Sequence, residues 1–139
     1  MLSGREEGGN DMAGVSQGAA GEVLAARFLR SKGYEILAAN FRTRFGEIDI
    51  IAADGQYIAF VEVKARQEGT PYAPREAVGP AKQRRLRGAA GTYLARYPTA
   101  LQPRFDVIEV ITARDNPMRA VELNHILHAF EAGDLGAAF

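Results

Sequence analysis

Apolar residues fall at helical spacing from residue 16 onward: Ala19, Ala20, Val23, Leu24, Ala26, Phe28 and Leu29 recur at three- and four-residue intervals. Ser16 supplies an N-cap and Gly33 a stop, so the pattern predicts a first helix ending near Lys32. The period then shortens. Tyr34 to Thr43 reads as extended, and two strands follow, Gly46 to Ala53 and Gln56 to Ala65, joined by Asp54-Gly55 as a two-residue hairpin turn. Gln67 to Pro74, with Gly69, Pro71 and Pro74, is expected as a loop. A second helix is predicted from Pro80 to Arg96, with Leu86, Ala89, Ala90, Tyr93 and Leu94 inward and Pro98 beyond its end. Phe105 to Ile111 is a β-branched strand, Arg114 to Pro117 a turn, and Ala120 to Phe130 a short strand or helix. Residues 1–14, polar and glycine-rich without periodicity, predict a mobile tail, and residues 132–139 a second tail, leaving one domain over 15–131. The order αβββαβ implies an α/β fold, a mixed sheet flanked by helices.

With Asp54-Gly55 as the turn, Ala53 pairs with Gln56, Asp49 with Phe60 and Glu47 with Glu62. Glu62 and Lys64 then share a face, about 7 Å apart along the strand, with Asp49 diagonal to Glu62. Ile48, Ile50 and Ala52 are expected on the opposite face beside Tyr57, Ala59 and Val61.

At 139 residues the chain is long enough for one domain with its own core and too short for two ordinary ones. No apolar run reaches the roughly 18 residues of a membrane span, so no membrane partner is expected. The absence of cysteine removes disulfides, thiolate zinc sites, iron–sulfur clusters and a cysteine nucleophile together. Acidic residues and glycines stand where a signal peptide would be basic and apolar, which points to the cytoplasm. The net charge is zero, yet fourteen Lys or Arg face seven Asp or Glu between Arg27 and Arg104. A basic middle fits a polyanion-binding body and equally an ordinary clustered surface.

Carboxylates gathered on one sheet face repel one another, and a divalent cation would offset that cost. Hard oxygen ligands suit Mg²⁺ or Mn²⁺, and a neighbouring lysine completes the parts needed for phosphodiester hydrolysis. Gly46-Glu47-Ile48-Asp49-Ile50-Ile51-Ala52 followed by Phe60-Val61-Glu62-Val63-Lys64-Ala65-Arg66 resembles the PD-(D/E)xK nuclease signature. With Gly21-Glu22 upstream and Arg104-Phe105-Asp106-Val107-Ile108 downstream, the chain resembles the YraN-type endonuclease family, which is similar in fold to Holliday junction resolvases and restriction endonucleases. Ile48 stands where the motif has proline, a departure that leaves the aspartate ligand in place.

The resemblance implies a Mg²⁺-dependent (or Mn²⁺-dependent) endonuclease of restriction-endonuclease-like fold with DNA as its partner; a homodimer stays open. It makes Asp49, Glu62 and the Val63 main-chain carbonyl metal ligands, and Lys64 the catalytic lysine. Glu22 would act in the outer sphere or at a second metal, beside the alternative of an ordinary helix residue. Glu47 reads as a rim ion pair. Lys82, Arg84, Arg85 and Arg87, with Arg66, are candidate phosphate contacts or a solvated face. His125 and His128 have no evident third ligand and read as surface or packing residues. The rival function is a catalytically inactive nucleic-acid-binding or scaffold module on the same fold.

Overall fold

In the computed structural model, residues 16–71, 78–133 and 135 are described. The expected tail at 1–14 lies outside them, as do residues 72–77 of the loop region. Two helices, α1 (Gln17–Ser31) and α2 (Pro80–Arg96), accompany five strands: β1 (Glu35–Arg42), β2 (Glu47–Ala53), β3 (Tyr57–Gln67), β4 (Gln102–Ala113) and β5 (Asn116–Phe130). They form one mixed sheet in the order β1-β2-β3-β4-β5, antiparallel except for the parallel β3–β4 pair. That pair requires a crossover, and α2 supplies it.

α1 begins where expected, with the Ser16 hydroxyl accepting from Ala19 N–H at 3.1 Å, and ends before Gly33, whose φ of +94° suits glycine. Its inward face is Ala20, Gly21, Ala25 and Leu29. Gly21 permits the close approach to the sheet: a Cβ there would lie 2.5 Å from the Ala65 Cβ. Ala25 and Leu29 bury against Ile50, Ala52, Ala59, Val61, Ile108 and Val110. α2 covers the other face, packing Leu86, Ala89, Ala90 and Tyr93 on Ile48, Ile51, Ile58, Phe60 and Phe105. Each fully buried Ile, Leu or Phe contributes about 1.5–3 kcal/mol of transfer free energy, so these two clusters hold the sandwich together.

Four expectations are corrected or narrowed. The hairpin turn is Gly55-Gln56, because Asp54 N–H donates to the Tyr57 carbonyl while the Asp54 carboxylate accepts from Gln56 and Tyr57 N–H at 2.8 and 2.7 Å. This side-chain turn moves the register by two residues, to Ala53↔Ile58 and Ile50↔Val61. Ile48 and Ile50 do not share a face: Ile48 joins the α2-side cluster and Ile50 the α1-side cluster. Alternation slips at Asp49, opposite Asn40, whose φ of +53° is a left-handed conformation within a strand. The segment after Ala120 is strand throughout, and β5 begins already at Asn116. Part of the expected C-terminal tail is anchored instead, since Leu135 is buried and Ala132 packs against the α2-side cluster. No helix among the described residues is long and apolar enough to cross a membrane.

Candidate active site

The β2–β3 ladder stops at Ile50↔Val61. One step further, the same register sets Asp49 against Glu62, and there the Asp49 carboxylate accepts the Val63 N–H at 2.8 Å. A side chain thus takes a ladder donor, and the two strands part at the acidic residues. On the other side of β2, Asn40 reaches two more carboxylates: with its amide nitrogen turned toward them it donates to Glu47 Oε2 at 2.9 Å and Glu22 Oε1 at 3.1 Å. The left-handed Asn40 therefore joins the α1 acid to the β2 acid. Nothing in the hydrophobic pattern marks Asn40; a residue type tolerant of positive φ, inside a strand and opposite a candidate ligand, is the only signal available.

The result is four electrostatically coupled acids. Burial, the largest cause, together with repulsion from Glu62, Glu22 and Glu47, pushes Asp49 up to about 7 against the single opposing hydrogen bond from Val63. Glu22 is also raised, chiefly by burial, with Glu47 and Glu62 adding repulsion and hydrogen bonds to Asn40 and Asp49 opposing it. A hydrogen bond between two carboxyls needs a proton on one of them, and Asp49 is the one poised to carry it.

Glu62, 6% exposed, has different company. Its Oε2 lies 3.3 Å from Lys82 Nζ and 3.7 Å from Lys64 Nζ, so one buried carboxylate oxygen faces two ammonium groups from different elements. Lys82, read from sequence as a phosphate contact, is part of the site itself. Glu47 makes the expected rim ion pair, 3.6 Å from Arg42 Nε. Among the described residues no three acidic or histidine side chains form a ready ligand set. Asp49 lines a groove with Glu22, while Glu62 is held by the lysines.

The remaining basic candidates divide. Arg84 and Arg85 are exposed on α2, with the Arg85 backbone against Gly46. Arg87 is occupied: its guanidinium donates to the Glu131 carbonyl at 2.8 and 3.0 Å and lies over the Phe130 ring. Arg66 donates to the Thr70 carbonyl at 3.2 Å.

Sequence reasoning passed over a second buried polar group. Arg104 donates from Nε and Nη2 to both oxygens of Asp106, at 2.8–3.1 Å, and His125 Nε2 is 2.8 Å from Asp106 Oδ2. The His128 backbone, at φ +51°, adds its N–H to Asp106 Oδ1 at 3.2 Å. Burial raises the Asp106 pKa, but His125 and Arg104 outweigh it and hold the carboxyl below its ordinary value. His125 is thus a packing residue with a polar task, wedged against Phe28 and Tyr34.

Residues 21–110, which contain the four acids, Lys64, Lys82, Arg104 and Asp106, match the family described as Uncharacterised protein family UPF0102. The chain belongs to the UPF0102 family. It is similar to the UPF0102 protein of Symbiobacterium thermophilum, 49% identical over 113 residues that cover 81% of this chain and 96% of the relative. It is also similar to those of Chlorobaculum tepidum, 43% identical over 122 residues (86% and 95%), and Geotalea daltonii, 43% identical over 129 residues (91% and 97%). This UPF0102 chain therefore spans nearly the whole length of these relatives, and its four acids and two site lysines all fall inside the matched segment.

Proposed function

We propose that this chain is a Mg²⁺- or Mn²⁺-dependent endonuclease that hydrolyses DNA phosphodiester bonds on a restriction-endonuclease-like scaffold. The observation that carries the reading is Asp49, pushed up to about 7 among Glu22, Glu47 and Glu62, at the point where the β2–β3 ladder opens. Clustered hard oxygen donors around a half-buried acid that has no cationic partner among the described residues are suited to a divalent ion. Asp49, Glu62 and the Val63 carbonyl would hold it, with Glu22 in the outer sphere or at a second ion. The absence of a ready three-acid set among the described residues limits this fit to two carboxylates plus main chain, and the Glu62 carboxylate must turn from its lysines to ligate.

When bound, such an ion lowers the pKa of a coordinated water and offsets charge developing on the phosphate. The chain's own part is then specific. Asp49 gives up its proton on ligation, so metal binding strengthens as pH rises through about 7. Lys64, released from Glu62, orients the attacking water or neutralises the phosphate oxygens. In the resulting hydrolysis a water oxygen would bond to phosphorus as the P–O bond to the leaving sugar oxygen breaks, the water giving one proton to solvent and the leaving oxygen taking one from it.

Titrating Mn²⁺ into the protein by calorimetry, then assaying a panel of branched and linear DNAs, tests the reading. Binding that is lost in both Asp49→Ala and Glu62→Ala, with cleavage of at least one substrate, supports it. DNA binding without metal binding or cleavage assigns the chain instead to a nucleic-acid-binding module, and neither binding nor cleavage to a scaffold.

A further inference from the structure

The groove that Asp49 lines continues away from the acids. Its wall on α1 carries Glu22, Ala26, Arg27 and Arg30, its opposite wall carries Ala39 and Asn40 on β1 and Asp49 on β2, and it encloses about 510 Å³. Residues at three- and four-residue spacing share a helix face, so Glu22 and Ala26 align with Arg30, and Arg27 stands beside them. The groove is acidic at the Glu22–Asp49 end and basic beyond it. Arg27 and Arg30 are both exposed, and neither guanidinium makes a hydrogen bond or an ion pair among the described residues. Other arginines of the chain are spent on structure: Arg104 on Asp106 and Arg87 on the Glu131 carbonyl.

We propose that this groove binds one strand of a nucleic acid beside the phosphate that is cut, with Arg27 and Arg30 contacting its phosphates. The inference rests on the nuclease reading and adds to it the path and strandedness of the substrate. A groove of this volume is on the scale of small-ligand pockets, too small to enclose a duplex and wide enough for one extended strand. Proteins that hold single strands use a positively charged groove that follows the backbone. Along the helix axis, Arg27 and Arg30 lie about 7.5 and 12 Å from Glu22, a stagger on the scale of successive phosphates in an extended strand. Ile36 and Ala39 on β1 offer apolar contact to sugars and bases without reading sequence.

The test is fluorescence anisotropy of a labelled single-stranded oligothymidylate and of a duplex, at several KCl concentrations in EDTA and again with Mn²⁺. The variants are Arg27→Gln/Arg30→Gln and Arg27→Lys/Arg30→Lys. Removing two phosphate-binding cations should lower the slope of log K against log salt by about 1.4 for the single strand, with a smaller change for the duplex. The lysine pair should restore most of the slope, which a packing defect would not allow. A slope and affinity unchanged in the glutamine pair, in a protein that does bind single strands, refutes the groove and leaves the nuclease reading standing. Wild-type protein that binds the duplex but no single strand in either condition refutes the groove alone, and protein that binds neither DNA in either condition refutes both readings.

Discussion

Replacing Asp49 by Asn should stabilise the folded protein, and by an amount that depends on pH. The carboxyl is raised from its ordinary 3.8 to about 7. In the unfolded chain it therefore ionises first, and each pH unit between the two values moves about 1.4 kcal/mol in favour of the unfolded state. The full shift sets a ceiling of about 4 kcal/mol; Asp49 is only half-buried, and solvent screening reduces this to about 2 kcal/mol. The sign follows from the raised value: the cost is absent below pH 3.8, accrues as pH rises, and is complete above about 7. Asn keeps the oxygen that accepts from Val63 N–H while removing the charge. For a domain of this size about 2 kcal/mol is worth about 6 to 10 °C in Tm. Thermal melts in EDTA should therefore show Asp49→Asn more stable at pH 8, by about three times its margin at pH 5. Added Mn²⁺ should raise the Tm of the wild type only. A margin equal at the two pH values, or a variant less stable at pH 8, refutes the account of Asp49 as a half-buried, repelled acid.

Lys64→Met should leave Mn²⁺ binding measurable by calorimetry while cleavage falls by orders of magnitude, because the ammonium is not a ligand; comparable rates would remove Lys64 from the chemistry. Lys82→Gln/Arg84→Gln/Arg85→Gln should flatten the salt dependence of duplex binding by at most about 0.9 for each phosphate these side chains neutralise. Adding Arg87→Gln should contribute nothing to that slope, since Arg87 is held by Glu131 and Phe130. Asp106→Asn should cost about 3–5 kcal/mol in chemical denaturation, because it leaves the buried Arg104 without its counter-charge. Asp106 is held below its ordinary value, so its contribution is present above that value and disappears as pH falls through the folded one; a flat acid limb would contradict this.

Much of the fold was legible because periodicity reports burial. The helix limits at Ser31 and Arg96 and the inward set Leu86, Ala89, Ala90 and Tyr93 follow directly from spacing. The register did not, because Asp54 chose between two turns by capping Gln56 and Tyr57, a contest of hydrogen bonds that alternation cannot decide. A shift of two preserves every face, so the Glu62–Lys64 relation survived the error. Ile48 was misplaced for a different reason: alternation presumes extended backbone, and Asn40 breaks it from the neighbouring strand. Lys82 at Glu62 and Asn40 at Glu22 join residues 18 to 20 apart in sequence, beyond any local pattern.

Half-buried Asp49 and fully buried Asp106 both lie beneath α1, and the fold treats them in opposite ways. Asp106 receives a bidentate guanidinium, an imidazole and a backbone N–H, and its pKa falls. Asp49 receives one backbone N–H and three neighbouring acids, and its pKa rises. Selection for stability alone would replace the second arrangement with the first, or with an apolar side chain of similar volume. Lys64 and Lys82 are close at hand, yet both are engaged by Glu62 and neither is among the causes acting on Asp49. The chain can therefore neutralise a buried aspartate and does so two strands away. Leaving Asp49 unmatched where β2 and β3 separate, beside a groove that opens to solvent, is the cost that the proposed cation and phosphate site would require.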